Sequence, residues 1–212
     1  MKLYNYFRSS AAYRVRIALA LKGLAYEYIS VHLTRGEQRA AEYVAINPQS
    51  LVPLLEDGDV RISQSLAIIE YLEERHPSPP LLPATPEARA RVRAIALAIA
   101  CDIHPLNNLR VLQYLGKVLG VDEKAKNAWY CHWVEAGLSA LETQLSSDGA
   151  TGMFCHGDTP TLADVCLVPQ LANARRYKVA LDACPTLVRI DERCRALPAF
   201  AAAAPEHQPD AE

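Results

Sequence analysis

The chain has 212 residues, of which 50% are hydrophobic and 22% charged, and its formal net charge is -2. This composition is typical of a globular protein with a sizeable core in one or two domains. The balanced charge and the lack of a basic tract argue against a nucleic-acid partner. The longest apolar run, residues 94–101, is too short to cross a membrane. The opening MKLYNY lacks the pattern of a secretory signal, so we expect no signal peptide.

The first eighty residues alternate between strand and helix patterns and predict a small α/β domain, residues 1–80. The order β-α-β-α-β-β-α is that of the thioredoxin-like plan. The predicted strands are residues 2–6 and 26–31, with a hairpin over 52–62 that turns at Asp57-Gly58. The predicted helices are residues 10–23, 36–46 and 65–76.

A proline-rich linker, residues 77–88, follows this domain. Beyond it the patterns are helical, which predicts an all-α second domain over 86–212. The predicted helices are residues 87–119, 122–146, 161–178 and 186–196. Thr161 and Asp164 have the spacing of a capping box at the start of the third of them. The polar, proline-containing end of the chain predicts a frayed tail.

The cysteines include no CxxC pair and stand at Cys101, Cys131, Cys155, Cys166, Cys184 and Cys194. We therefore expect reduced and mostly buried thiols, as is usual for a cytoplasmic protein. Cys131 and Cys155 are each followed by a histidine. Adjacent ligands are not a zinc-site spacing, so we expect no metal centre.

Pro53 stands where the apolar pattern would otherwise predict a central strand, in the stretch NPQSLVPL. A proline has no N–H to donate to a sheet, so it is normally excluded from such a position. A cis Val52–Pro53 bond at the start of the strand would turn the Val52 backbone outward, towards an extended peptide. The alternative is an ordinary trans proline at a strand edge, and only the surrounding motifs favour the cis form.

Two further motifs place hydroxyl groups at the starts of predicted helices. Ser9-Ser10 precedes the first helix and Gln64-Ser65 precedes the third. Helix N-termini favour anions, so each pair is suited to a thiolate or a carboxylate. Each is equally explained as a helix cap without any ligand.

With these motifs in place, the chain resembles the cytosolic glutathione transferases, and among them the zeta class. The matching stretches cover nearly the whole chain: SSAAYRVRIALALKG (9–23), NPQSLVPLL (47–55), ISQSLAIIEYLEE (62–74), HPSPPLLP (76–83), HPLNNLRVL (104–112) and GDTPTLADVCLVPQLANARRYKV (157–179). The run Ser-Ser-x-x-x-Arg-Val-Arg-Ile-Ala-Leu is a specific signature of that class. The class usually has a cysteine after the two serines, and here Ala11 takes its place.

The resemblance implies glutathione as cofactor, bound along the first domain. It implies that Ser9 or Ser10 stabilises the glutathione thiolate, with Ala11 beside them, and it leaves open which serine acts. The other residues it implies for glutathione are Gln38 at the glycyl end, Val52 and Pro53 at the cysteinyl backbone, Gln64 and Ser65 at the γ-glutamyl carboxylate, and His104 and Asn108 from the second domain.

The implied reaction is the cis–trans isomerisation of a maleyl keto-dicarboxylate by thiolate addition, bond rotation and elimination. Arg8, Arg110 and Arg176 would bind the substrate carboxylates, because planar guanidinium groups hold carboxylates in a bidentate fashion. Three arginines favour the compact maleylpyruvate over the longer maleylacetoacetate. His104 is equally explained as a neighbour of Pro105 at a helix kink.

Two other functions stay open at this point. A transferase or dehalogenase acting on small electrophiles such as α-halo acids would use the same thiolate. A non-catalytic association module would need none of these motifs, so their presence argues against it. The resemblance also implies a homodimer.

Overall fold

A computed structural model describes residues 1–212. The chain divides into two compact units. The first comprises Met1–Leu81 together with Ala196–Glu212, and the second comprises Leu82–Arg195. None of the helices is long and apolar enough to pass through a bilayer.

The first unit is built on a four-stranded mixed sheet with the spatial order β2-β1-β3-β4. The strands are β1 Lys2–Asn5, β2 Glu27–Ser30, β3 Leu54–Asp57 and β4 Val60–Ser63. The β1–β2 pair is parallel, and the other two neighbouring pairs are antiparallel. The mixed thioredoxin-like sheet predicted from the order of elements is confirmed.

Helices α1 Ser10–Leu21, α2 Ala41–Ile46 and α3 Ser65–Arg75 connect and cover this sheet. The predicted helix over 36–46 is broken, because Ala40 has an extended backbone with φ -61 and ψ 143. A 3-10 helix, Glu37–Arg39, precedes it.

Strand β1 buries alternate residues, Leu3 and Asn5, because successive side chains point to opposite faces of a sheet. Leu3 of β1 lies opposite Leu55 of β3, and both are fully buried. Tyr4 pairs with Leu54, so the last residues of β1 and the first residues of β3 lie at the same end of the two strands. The loop from β1 to α1 therefore begins close to Val52 and Pro53.

The second unit is all-helical, as predicted. Its helices are α4 Pro86–Leu97, α5 Leu109–Lys117, α6 Glu123–Ser147, α7 Leu162–Arg176 and α8 Pro185–Arg195. The capping box of Thr161 and Asp164 is present at the start of α7. The Asp164 carboxylate accepts the Thr161 N–H at 2.8 Å and also the Cys155 N–H at 2.8 Å.

The predicted continuous helix over 87–119 is interrupted in its middle. A π-helical segment, Ala98–Ile103, follows α4, and a 3-10 turn, Pro105–Asn107, precedes α5. Pro105 has no N–H for an α-helical hydrogen bond, and Asn108 caps a new helix by accepting the Arg110 N–H at 3.1 Å.

The end of the chain differs from the sequence prediction in two ways. It is ordered, with helix α9 Pro198–Ala203 and a 3-10 turn Pro205–His207. It also belongs to the first unit and not to the helical domain predicted over 86–212. The reason is tertiary: the aromatic ring of Phe200 is fully buried, and α9 packs against α1.

Candidate active site

Ser9 caps the first helix with its side chain. Its Oγ accepts the Ala12 N–H at 3.2 Å, and its backbone is extended with φ -71. Because the oxygen is the acceptor in this bond, the hydroxyl hydrogen remains available for donation. Ser9 is half-buried, whereas Ser10 is only 5% exposed. Ser9 is thus the better placed of the two serines to meet a ligand, and Ala11 beside them offers no thiol.

The Val52–Pro53 bond is cis, as the surrounding motifs predicted. The Val52 side chain is buried in an apolar cluster that also contains Phe7. The Val52 N–H and C=O make no hydrogen bond with the rest of the chain. They are therefore free to pair with an extended peptide.

The residue before Val52 is held firmly by two buried side chains. The Tyr43 hydroxyl donates to the Leu51 carbonyl at 2.6 Å, and Asn47 Nδ2 donates to the same oxygen at 2.7 Å. Both donors come from α2 and its C-terminal cap. They fix the backbone that leads into Val52.

The N-terminus of α3 is an electropositive site. No side chain caps it, because Gln64 has a left-handed backbone with φ 71 and its amide is turned to Gln49 Oε1 at 3.0 Å. The Ser65 side chain is buried, and Arg14 Nη1 donates to its Oγ at 3.3 Å. Free helix N–H groups and a buried guanidinium both favour a carboxylate here.

Gln38 lies in the 3-10 helix before α2 and is 8% exposed. Its Oε1 is buried without a hydrogen-bond partner. Such an atom costs free energy unless a ligand or water satisfies it, so its presence is consistent with a binding role. None of the contacts above involves the Gln38 side chain.

Arg8 follows Phe7 in the β1–α1 loop. Its guanidinium is exposed and lies 4.9 Å from the centre of the Phe7 ring.

The second unit presents two exposed arginines that the sequence singled out. Arg176 ends α7, and its guanidinium lies 5.0 Å from the centre of the Tyr177 ring. Tyr177 stacks on buried Tyr130 with ring centres 3.6 Å apart. Arg110 lies in the first turn of α5 and is also exposed.

His104 and Asn108 lie one turn apart in the second unit, with His104 Nε2 3.4 Å from Asn108 Nδ2. Asn108 also caps α5, so the structure accounts for it without a ligand. His104 directly precedes Pro105, where the helical backbone is interrupted, so the alternative explanation of His104 as a residue at a helix kink also stands.

Sequence reasoning missed several residues that shape the site. Arg14 was part of a signature but received no role, and Arg16, Asn47 and Tyr43 received none. The sequence did carry a signal for Arg14 and Arg16, because these two arginines interrupt an otherwise apolar helix. In the structure both are 1% exposed. A buried arginine requires partners, and partners of that kind mark a built polar site.

All six cysteines are free thiols. Four are buried, namely Cys155, Cys166, Cys184 and Cys194. Burial raises the pKa of the Cys155 thiol well above its usual range. Burial also raises the pKa of the Cys184 thiol. No group of three or more potential metal ligands occurs in the structure.

Comparison with known proteins agrees with this geometry. Models of the N-terminal and C-terminal domains of glutathione S-transferase match residues 1–74 and 134–203. A probable maleylacetoacetate isomerase of Vibrio cholerae is 54% identical over 99% of this chain and 97% of its own. The chain belongs to the glutathione S-transferase family.

Solved structures place this transferase in the zeta class. A maleyl pyruvate isomerase, described as a bacterial zeta-class glutathione S-transferase in its holo form, matches with a TM-score of 0.98 and 51% identity over all of both chains. A maleylacetoacetate isomerase of Methylobacterium extorquens, with bound malonate and glutathione, also has a TM-score of 0.98, with 44% identity over all of both chains.

Proposed function

We propose that this transferase is a glutathione-dependent isomerase that converts a maleyl keto-dicarboxylate to its fumaryl isomer. The observation that carries the proposal is the Ser9 hydroxyl, which caps α1 as an acceptor and keeps its hydrogen for an anion at that helix end. The high identity to a protein named for this isomerisation, over nearly the whole chain, supports the same reaction.

We assign residues of the first unit to three polar parts of glutathione. The unpaired N–H and C=O of Val52, next to Pro53, match a cysteinyl backbone. Gln64 and Ser65, at the uncapped α3 N-terminus, match the γ-glutamyl carboxylate. The unsatisfied amide oxygen of Gln38 matches the N–H at the glycyl end.

Bound glutathione supplies the thiolate that adds reversibly to the cis double bond and so permits rotation about it. A free thiol has a pKa near 8.5, and lowering it by about two units requires about 2.7 kcal/mol. One hydrogen bond to a charged group contributes about 1.5–3 kcal/mol, and a helix N-terminus adds about 0.3–1 kcal/mol. The range of these two contributions includes the required value, so we assign the lowering of the thiol pKa to Ser9 and the α1 N-terminus.

The substrate carries two carboxylates, and three exposed arginines are assigned to them. Arg8 follows the first strand, and Arg110 and Arg176 lie on α5 and α7. The Tyr177 ring supports Arg176 from one side and leaves its guanidinium edge free for a carboxylate. Three cations favour maleylpyruvate as substrate, with maleylacetoacetate next. His104 and Asn108 are assigned to glutathione, as the resemblance to the class implies.

The proposal includes a cellular setting. A maleyl keto acid is an intermediate of aromatic catabolism, and the reduced thiols suit the cytoplasm. We propose a homodimer, as the resemblance to the class implies.

The test follows maleylpyruvate and maleylacetoacetate consumption with a limiting amount of glutathione. Isomerisation predicts turnover far in excess of the glutathione supplied, with the trans product formed in equal amount. Consumption that stops at one equivalent of glutathione would instead establish conjugation, as by a transferase or dehalogenase. No reaction and no calorimetric binding of glutathione would leave only a non-catalytic module.

A further inference from the structure

The last residues of the chain hold the loop that carries Ser9. Asp210 Oδ2 accepts the Phe7 N–H at 3.2 Å and the Ser30 hydroxyl at 2.9 Å. Its other oxygen, Oδ1, accepts the Tyr28 hydroxyl. Phe7 is two residues before Ser9, so one carboxylate joins the β1–α1 loop to the end of β2.

Arg16 binds the two carbonyl groups that flank the Phe7 N–H in the chain. Its Nη2 donates to the Phe7 carbonyl at 3.0 Å, and its Nη1 donates to the Tyr6 carbonyl at 3.4 Å. Its Nε donates to the carbonyl of Ala203 in α9 at 3.0 Å. Both backbone groups of Phe7 are thus fixed, the N–H by Asp210 of the tail and the C=O by Arg16, which is bonded to α9.

The tail itself is anchored where it leaves α9. The Gln208 side chain is buried, and its Nε2 donates to the carbonyls of Ala202 and Ala204 at 2.9 and 2.8 Å. Ala202 lies in the last turn of α9, where carbonyls lack α-helical partners, and the Ala204 carbonyl also accepts the His207 N–H at 3.1 Å. Gln208 therefore ties the end of α9 to the turn that follows it. Asp210 follows two residues later in a defined position.

A second attachment reaches the segment that carries Gln38. Glu212 accepts from His32 Nε2 at 3.2 Å and from the Arg35 guanidinium. The other ring nitrogen, His32 Nδ1, accepts the Arg35 N–H, which places the ring hydrogen on Nε2. The His32 N–H in turn donates to the Glu37 carboxylate at 2.6 Å, and Glu37 adjoins Gln38.

We propose that Asp210 is a positioning residue for Ser9, and that Glu212 acts likewise on the Gln38 segment. This role rests on the proposed function, because it concerns the groups that would hold glutathione. The tail binds near both ends of that site, at the sulfur side and at the glycyl side. Replacing Asp210 is expected to loosen the site without dismantling the sheet, since its hydrogen bonds come from two side chains of β2 and from the Phe7 N–H of the loop.

The experiment compares the whole chain with Asp210→Ala, Asp210→Asn and a control, Glu206→Ala. Glu206 lies in the same tail but is exposed and makes no ion pair or side-chain hydrogen bond. Three quantities are measured: hydrogen exchange of the Phe7 amide in the free protein, the KM for glutathione against kcat, and the pKa of bound glutathione from its ultraviolet thiolate band.

Asp210→Ala is expected to speed exchange of the Phe7 amide and to lower kcat/KM for glutathione by about tenfold, the loss of roughly one hydrogen bond to a charged group. The bound thiol is expected to titrate at higher pH. Glu206→Ala should behave as wild type. Asp210→Asn keeps one acceptor oxygen, so its effects should be intermediate, and it serves if Asp210→Ala does not fold.

Unchanged Phe7 exchange, KM and thiol pKa in both Asp210 variants would overturn the positioning role, even if their unfolding temperature fell. A wild-type protein that neither binds glutathione nor turns over would overturn the proposed function instead. Hydrogen exchange of the Phe7 amide would still test the role of Asp210 in that case, because the measurement needs no ligand.

Discussion

Arg14 Nη1 lies 3.3 Å from the Ser65 hydroxyl, and both side chains are buried. This hydrogen bond ties α1, whose start carries Ser9, to the N-terminus of α3. It also brings a positive charge to the position assigned to the γ-glutamyl carboxylate. A charge placed there strengthens anion binding beyond what the helix end alone provides.

Replacing Arg14 by methionine is therefore expected to weaken glutathione binding by about tenfold, since a charged hydrogen bond contributes about 1.5–3 kcal/mol. Methionine has similar length and preserves much of the packing. Calorimetry with glutathione measures the change. Arg75→Met is the control, because Arg75 lies exposed at the far end of α3. Equal affinities for the two variants would contradict the assignment.

Ser9→Ala should remove both a helix cap and the thiolate donor. The lost cap costs about 1 kcal/mol of stability, and the lost donor should reduce turnover by about 10- to 100-fold. Thr85→Ala is a matched control, because Thr85 caps α4 through the same bond to the N–H three residues on, at 3.3 Å.

The two cap variants should lose comparable stability in thermal unfolding, while only Ser9→Ala loses activity. Ser10→Ala is expected to affect activity less, since Ser10 is buried. The reverse order of the two serine variants would show that the wrong hydroxyl has been assigned to the sulfur.

The thiols should differ sharply in reactivity. Cys101 is exposed, whereas burial raises the pKa of Cys131 and of Cys194. Thiolates are the reactive form, so an aromatic disulfide reagent at neutral pH should modify Cys101 first and the buried thiols only on unfolding. Mass spectrometry of the partly modified protein identifies the site. Rapid modification of Cys155 would contradict its burial.

Stability should depend on pH through Glu56. Its carboxylate accepts from Arg61 Nε at 2.9 Å and lies 3.1 Å from Lys2 Nζ, and these partners, Arg61 foremost, lower its pKa. A lowered pKa in the folded state stabilises the protein above the unfolded pKa of about 4.3, and this contribution is lost as the pH falls through the folded value.

Glu56→Gln should therefore unfold at a lower temperature than wild type at pH 7, and the gap should narrow as the pH falls below about 4. The expected gap is small, because the pair is at the surface. Differential scanning calorimetry at several pH values measures it. Glu74→Gln, at an exposed position without an ion pair, is the control. A gap that stays constant with pH would rule out the ion pairs as its source.

Much of the fold was predictable because its signals are local. The alternation of residues 2–6, the hairpin signal and the glycine after α1 each act over a few residues. The hairpin turns at Gly58 and Asp59, one residue later than predicted, because Asp57 still pairs with Val60. Within 87–119 the sequence indicated a kink at Pro105 but not a break, because the apolar period continues on both sides. The split of 36–46 depends on the backbone of a single alanine, Ala40, which carries no propensity signal strong enough to predict it.

The sequence by itself determined the two-domain plan, the helix caps, the cis Val52–Pro53 bond and the serine, valine and glutamine motifs of the candidate site. Only the tertiary structure decided that Arg14 lies against Ser65 and that Asp210, some two hundred residues away, binds the Phe7 N–H. The physical reason is how far apart along the chain the interacting residues lie. Caps and turns are satisfied by neighbours in the chain, whereas a buried charge or a loop amide takes its partner from whichever segment the folded core brings beside it.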